Sequence, residues 1–121
     1  MNEARFPARR PDGSVSVAAR FSAADRSILP RLEAFVTGWL RGISRYVDLS
    51  QDLSSLPHIA EGDRYVHIIF DGKAQSTRWK DWMVFLTRDV SESLPDIGFM
   101  YFYDLVADLP HPAPPDNESP A

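Results

Sequence analysis

The sequence predicts an α+β fold in the order ββαβββ: an antiparallel sheet, built from an N-terminal hairpin and a C-terminal three-stranded meander, packed on one main helix. Three observations predict it. Val15, Val17, Ala19 and Phe21 alternate with Ser14, Ser16, Ala18 and Arg20, the period of a half-buried strand. Ile28, Leu32, Phe35, Val36, Trp39, Ile43, Tyr46 and Val47 recur at spacings of three and four, the period of an amphipathic helix. The runs 64–70, 79–88 and 98–105 are rich in aromatic and β-branched residues, with turn-forming stretches at Asp71-Gly72 and at 91–96 between them.

The hairpin rests on Pro11-Asp12-Gly13, which offers a fixed φ, an Asx-type turn residue and a glycine free to take positive φ. Its first strand would be 5–10, where Pro7 demands an edge position and Arg5, Arg9 and Arg10 make that edge basic. Ser22 and Asp25 form a cap-like pair, and Pro30 is tolerated only in a first helical turn, so the main helix is expected from about Ser27 to Val47. Ala34, Gly38 and Gly42 form a small-residue ridge, expected to pack closely on the sheet. Arg31, Arg41 and Arg45 mark the solvated face. Residues 48–63 read as a polar loop, and its scattered Asp48, Asp52, His58, Glu61 and Asp63 match no metal-binding spacing. Five of the last twelve residues are proline, so the chain divides into one α+β domain at 1–109 and a disordered Pro-rich tail at 110–121.

Pairing the first two meander strands symmetrically puts Val66, Ile68, Phe70, Trp79, Met83 and Phe85 on one face, and Tyr65, Ile69, Trp82, Val84 and Leu86 on the other. Both faces are then apolar, and one helix hides only one of them. The second face needs a curled sheet, a second copy of the chain, or a partner.

Composition narrows the function classes. The absence of cysteine excludes disulfides, thiolate nucleophiles and Cys-containing zinc sites. Neither an export signal nor an apolar run long enough to span a membrane is present, so a cytoplasmic protein without membrane association is expected. No glycine pattern matches a phosphate-binding loop and no serine sits in a nucleophile elbow. His67 and Asp71 lie about 13 Å apart if both are on one strand; pairing of His67 with Asp81, or of Arg78 with Asp71, would be needed to assemble a small site. No catalytic residue, metal ligand or cofactor is assigned.

Charge points to a binding role. Residues 1–45 hold eight arginines against four carboxylates, while 46–121 hold five basic and thirteen acidic side chains, for a net charge of −4. The expected function is a small acidic protein-binding domain, similar in manner to an immunity protein or antitoxin that neutralises a basic effector. Trp79, Trp82, Tyr101 and Tyr103 are the expected anchors, and Asp89, Glu92, Asp96, Asp104 and Asp108 the expected acidic rim. The alternatives are a small-molecule cup with minor enzymatic chemistry and a homo-oligomeric adaptor; the charge balance argues against nucleic acid.

Overall fold

The computed structural model describes residues 6–23 and 25–111. It is an α+β structure with the elements β1 (Val15–Ser22), α1 (Ile28–Ser44), a short 3-10 turn (Leu49–Gln51), β2 (Leu53–Glu61), β3 (Tyr65–Gly72), α2 (Trp79–Ser93), β4 (Gly98–Asp104) and β5 (Leu109–His111). The sheet has five strands in the order β2-β3-β1-β4-β5, with every neighbouring pair antiparallel. β3 lies between β1 and β2, and β1 lies between β3 and β4. These are the two interlocked crossovers of the ferredoxin-like, split βαβ plan, with β5 added at one edge.

The antiparallel sheet and the main helix stand as expected, with two differences in element order. β1 is a central strand whose two ladders are taken by β3 and β4, which leaves no edge for a pairing strand at 6–10. That segment instead runs past the sheet end, where the Ala8 N–H donates to Asp104 Oδ2 at 2.6 Å. The turn expected at 11–13 is present, with Gly13 at φ +89° and Asp12 Oδ1 accepting from the Ser14 N–H. The second difference is α2: the run 79–88 is helical. Trp79, Trp82, Met83, Leu86 and Val90 are all buried at helical spacing, so this segment satisfies its apolar side chains on one stripe instead of on two strand faces.

Residues read as a polar loop also belong to the sheet. β2 is an edge strand, and Pro57 sits where its register to β3 shifts, a position at which a missing N–H costs no ladder bond. α1 begins where expected, with Ser27 at the cap position and Pro30 in the first turn, and ends at Ser44. The small-residue ridge does not face the sheet: Ala34, Gly38 and Gly42 are exposed, and a Cβ at either glycine would meet nothing within 4 Å.

Both helices cover the same side. Val15, Val17, Ala19 and Phe21 of β1, Val66, Ile68 and Phe70 of β3 and Phe102 of β4 form one core with Ile28, Leu32 and Val36 of α1 and the buried stripe of α2. Trp39 Nε1 ties the helices together by donating to Asp89 Oδ2 at 2.8 Å. The Pro-rich tail lies outside the described residues beyond His111, and the two tail positions within them, Pro110 and His111, are in β5. No helix among the described residues is long and apolar enough to cross a membrane.

Candidate functional site

Strand alternation sends every second residue to the face that neither helix covers. From β1 these are Ser16, Ala18 and Arg20; from β3, Tyr65, His67, Ile69 and Asp71; from β4, Tyr101 and Tyr103. Ser16 and Ala18 are buried beneath their neighbours, while the aromatic residues, Arg20 and Ile69 are half-buried. Small residues on the central strand therefore form a floor, with large rings rising on both sides of it.

Arg20 is the hub. It pairs with His67 across one ladder and Tyr101 across the other. Its Nε donates to His67 Nε2 at 2.8 Å and its Nη1 donates to the Tyr101 hydroxyl at 2.7 Å. Its guanidinium carbon lies 3.8 Å from the centre of the Tyr65 ring and 5.1 Å from that of Tyr103. Tyr65 stacks on His67 at 5.0 Å, and His67 faces Tyr103 at 6.3 Å, giving three rings in near-parallel succession. Cation–π attraction and the ladder pairings together hold the guanidinium in one place.

The hydrogen bonds fix protonation states. Arginine only donates, so His67 Nε2 must be an acceptor and the neutral imidazole carries its proton on Nδ1. Burial, and then the positive charge of Arg20, push the His67 pKa below its ordinary value. Tyr101 accepts from Arg20, which leaves its own hydroxyl hydrogen free to donate. Tyr103 donates to Asp108 Oδ1 at 2.8 Å, and this bond raises its pKa. At the far end of the face, Asp71 accepts from Ser16 Oγ and Ser55 Oγ, and Arg10 Nη2 donates to Ser16 Oγ.

Among the described residues no carboxylate forms an ion pair with Arg20. The only fully buried side-chain nitrogen or oxygen there without a hydrogen-bond partner is Thr87 Oγ1. Arg20 Nη2, which bonds none of the described residues and is not among their fully buried unpaired atoms, therefore keeps some exposure. Among the described residues Arg20 is thus a cation without a paired carboxylate, set inside a frame of tyrosines, with Arg10 at the far end of the face.

The residues singled out from sequence separate into different places. Tyr101 and Tyr103 stand on this open face. Trp79 is 1% exposed and Trp82 is 7% exposed, both on the helix side of the sheet, so neither offers surface to a partner. Trp82 instead donates from Nε1 to the buried Asp52, which also accepts from Ser76 Oγ. Asp104 is buried and holds three backbone N–H groups, those of Ala8, Val106 and Ala107. Asp89 is engaged by Trp39 and Asp96 pairs with Arg31; Glu92 is exposed on α2. These carboxylates do not ring the tyrosines. His67 and Asp81 do not meet, since Asp81 is exposed on α2 across the sheet, and Asp71 bonds to serines instead of Arg78.

Sequence reasoning missed Arg20, which the alternation placed on the polar side of β1 and left there. No three histidines or carboxylates gather to hold a metal among the described residues. A surface depression between α1 and β2 combines the apolar Val36, Leu40, Pro57 and Ile59 with Glu33, Thr37 and His58. Compared with family models, with curated proteins and with solved structures, the chain shows no significant match to any of them.

Proposed function

We propose that this chain is a small acidic protein-binding domain that engages its partner through the open face of its sheet, with Tyr65, Tyr101 and Tyr103 as the contact residues. The observation that supports it most is the half-buried cluster around Arg20. Rigid aromatic side chains with polar tips and a stacked arginine are the residue types that dominate protein interfaces, and here they stand together on a face that the helices leave open. Neutralisation of a basic effector, the form of this reading favoured by charge alone, would need carboxylates beside those anchors. Asp108 is bonded to Tyr103, and Asp63 and the Arg26-paired Glu61 lie near Tyr65, whereas Asp89, Asp96 and Asp104 are engaged elsewhere.

The test uses two double variants of a tagged copy in the native host. Tyr65→Ser with Tyr103→Ser alters the open face, and Val84→Ser with Phe85→Ser alters the exposed side of α2. Circular dichroism and urea melts confirm that both are folded. A partner retained by the α2 variant and lost by the tyrosine variant supports the reading. Equal recovery by both variants, or loss only from the α2 variant, refutes it.

A further inference from the structure

We propose that Arg20 is the receptor for a carboxylate carried by the partner protein, one oxygen meeting Arg20 Nη2 and the other the Tyr101 hydroxyl. This inference rests on the open face being the binding surface and specifies what that surface reads.

The geometry limits what fits. Of the five guanidinium N–H groups, the one on Nε is committed to His67 and one on Nη1 to Tyr101, which leaves the second hydrogen of Nη1 and both of Nη2 for a ligand. Tyr101 accepts from Nη1 at 2.7 Å, and its own hydroxyl hydrogen remains available to donate to a ligand beside the guanidinium. Two donors side by side, one of them charged, match the two oxygens of a carboxylate. His67 is a positioning residue: its neutral Nε2 holds the arginine in register without adding a second charge. Tyr65 and Tyr103 flank the group and restrict water around it, which strengthens a charged hydrogen bond.

Charge selects carboxylate over phosphate. The site has one formal positive charge in a chain of net charge −4, and Asp108 lies beside Tyr103 at its rim. A monoanion is balanced by that single arginine. A phosphate dianion, or a nucleic-acid backbone with its successive charges, would meet an uncompensated negative field.

The experiment titrates the intact chain with benzoate while following the ring signals of His67, Tyr101 and Tyr103 by NMR, with Met83 in the core as an internal control and sodium chloride at matched ionic strength. Benzamide, phenyl phosphate and a single-stranded oligonucleotide are the comparison probes. Expected is a saturable, millimolar shift with benzoate confined to the three rings, with benzamide weaker by roughly tenfold. Tyr101→Phe, which keeps the ring and removes the donor, should weaken benzoate by roughly three- to tenfold. Absence of the shift, or an equal shift with benzamide, overturns the proposal. Stronger binding of phenyl phosphate or of the oligonucleotide overturns the choice of carboxylate, and micromolar benzoate binding overturns its origin in a protein, pointing to a free aromatic acid. A benzoate failure alongside partner loss in the tyrosine double variant would mean that the face binds without using Arg20. Benzoate binding with the partner retained by that variant would overturn the partner assignment alone.

Discussion

Trp82 is expected to behave as a structural clamp, and a double-mutant cycle with Asp52 measures it. Asp52 is 8% exposed, and its two oxygens accept from Ser76 Oγ and Trp82 Nε1, each at 2.8 Å. No cation pairs with it among the described residues. Asp52→Ala removes the acceptor and leaves the Trp82 N–H inside. The Ser76 hydroxyl is less affected, because it still accepts from the Arg78 N–H at 3.0 Å and can rotate. A hydrogen bond to a charged group contributes about 1.5–3 kcal/mol, and an orphaned buried donor costs about 1–3 kcal/mol. The loss of the carboxylate's own desolvation cost offsets part of this, so a destabilisation of about 2–4 kcal/mol is expected. Trp82→Phe removes the same bond from the other side and adds a small cavity term. In the Phe background Asp52→Ala should cost less, with a coupling energy of about 1.5–3 kcal/mol by urea unfolding at pH 7. Equal m-values across the four proteins would validate the comparison. A coupling energy below about 0.5 kcal/mol, the scale on which independent sites add, would refute the clamp.

Three further outcomes are expected. His67 has a folded-state pKa below its ordinary 6.5, so its contribution to stability is complete above 6.5 and is lost as pH falls through the lower folded value. Urea melts at pH 8 and pH 5 should therefore show a larger loss for the wild-type chain than for His67→Gln, and equal losses would contradict it. The carboxylates held low by local hydrogen bonds, Asp12, Asp25 and Asp48, titrate below 3.8 and do not confuse that window. Thr87→Val replaces a hydroxyl that is buried without a partner among the described residues by a group of the same shape, and should raise stability by about 1 kcal/mol in the same assay. Gly38→Ala, at an exposed helix-interior position with open space around it, should raise stability by about 0.5–1 kcal/mol; a loss instead would mean that the ridge packs against something.

Local pattern was enough for elements whose pattern is local. β3 alternates cleanly in burial, its division into Val66, Ile68 and Phe70 against Tyr65, His67 and Ile69 following from a period of two, and β1 shows the same period in residue type although Ser16 and Ala18 are also buried. α1 was legible because its apolar stripe and Pro30 agree on where a helix starts. α2 was not, although its buried residues keep helical spacing. Val84 and Phe85, at 45% and 40% exposure, fill the gap between the buried positions and erase the polar stripe that marks an amphipathic helix. β2 was hidden for the opposite reason: Ser54, Ser55, Pro57 and His58 give an irregular edge strand no alternation to recognise. The Arg20 cluster draws on residues as far apart as Arg20 and Tyr103, and it exists only because β1 is inserted between β3 and β4.

Reassigning 79–93 to a helix also changes why the open face matters. Counted as three strands, the C-terminal half had more apolar surface than one helix could hide; with α2 in place, Trp79, Trp82, Met83 and Leu86 are in the core, and that surplus is gone. What remains on the far side is not a bare apolar sheet, since Ser16 and Ala18 are covered by their neighbours and the tyrosines keep their hydroxyls toward polar partners. The unresolved quantity is now a charge instead of an area. Arg20 is held by an uncharged acceptor on each side and stacked on a ring, an arrangement that fixes the guanidinium without neutralising it. Among the described residues no carboxylate completes the pair, and the carboxylate proposed for the partner is the counter-charge that the remaining donors would accept.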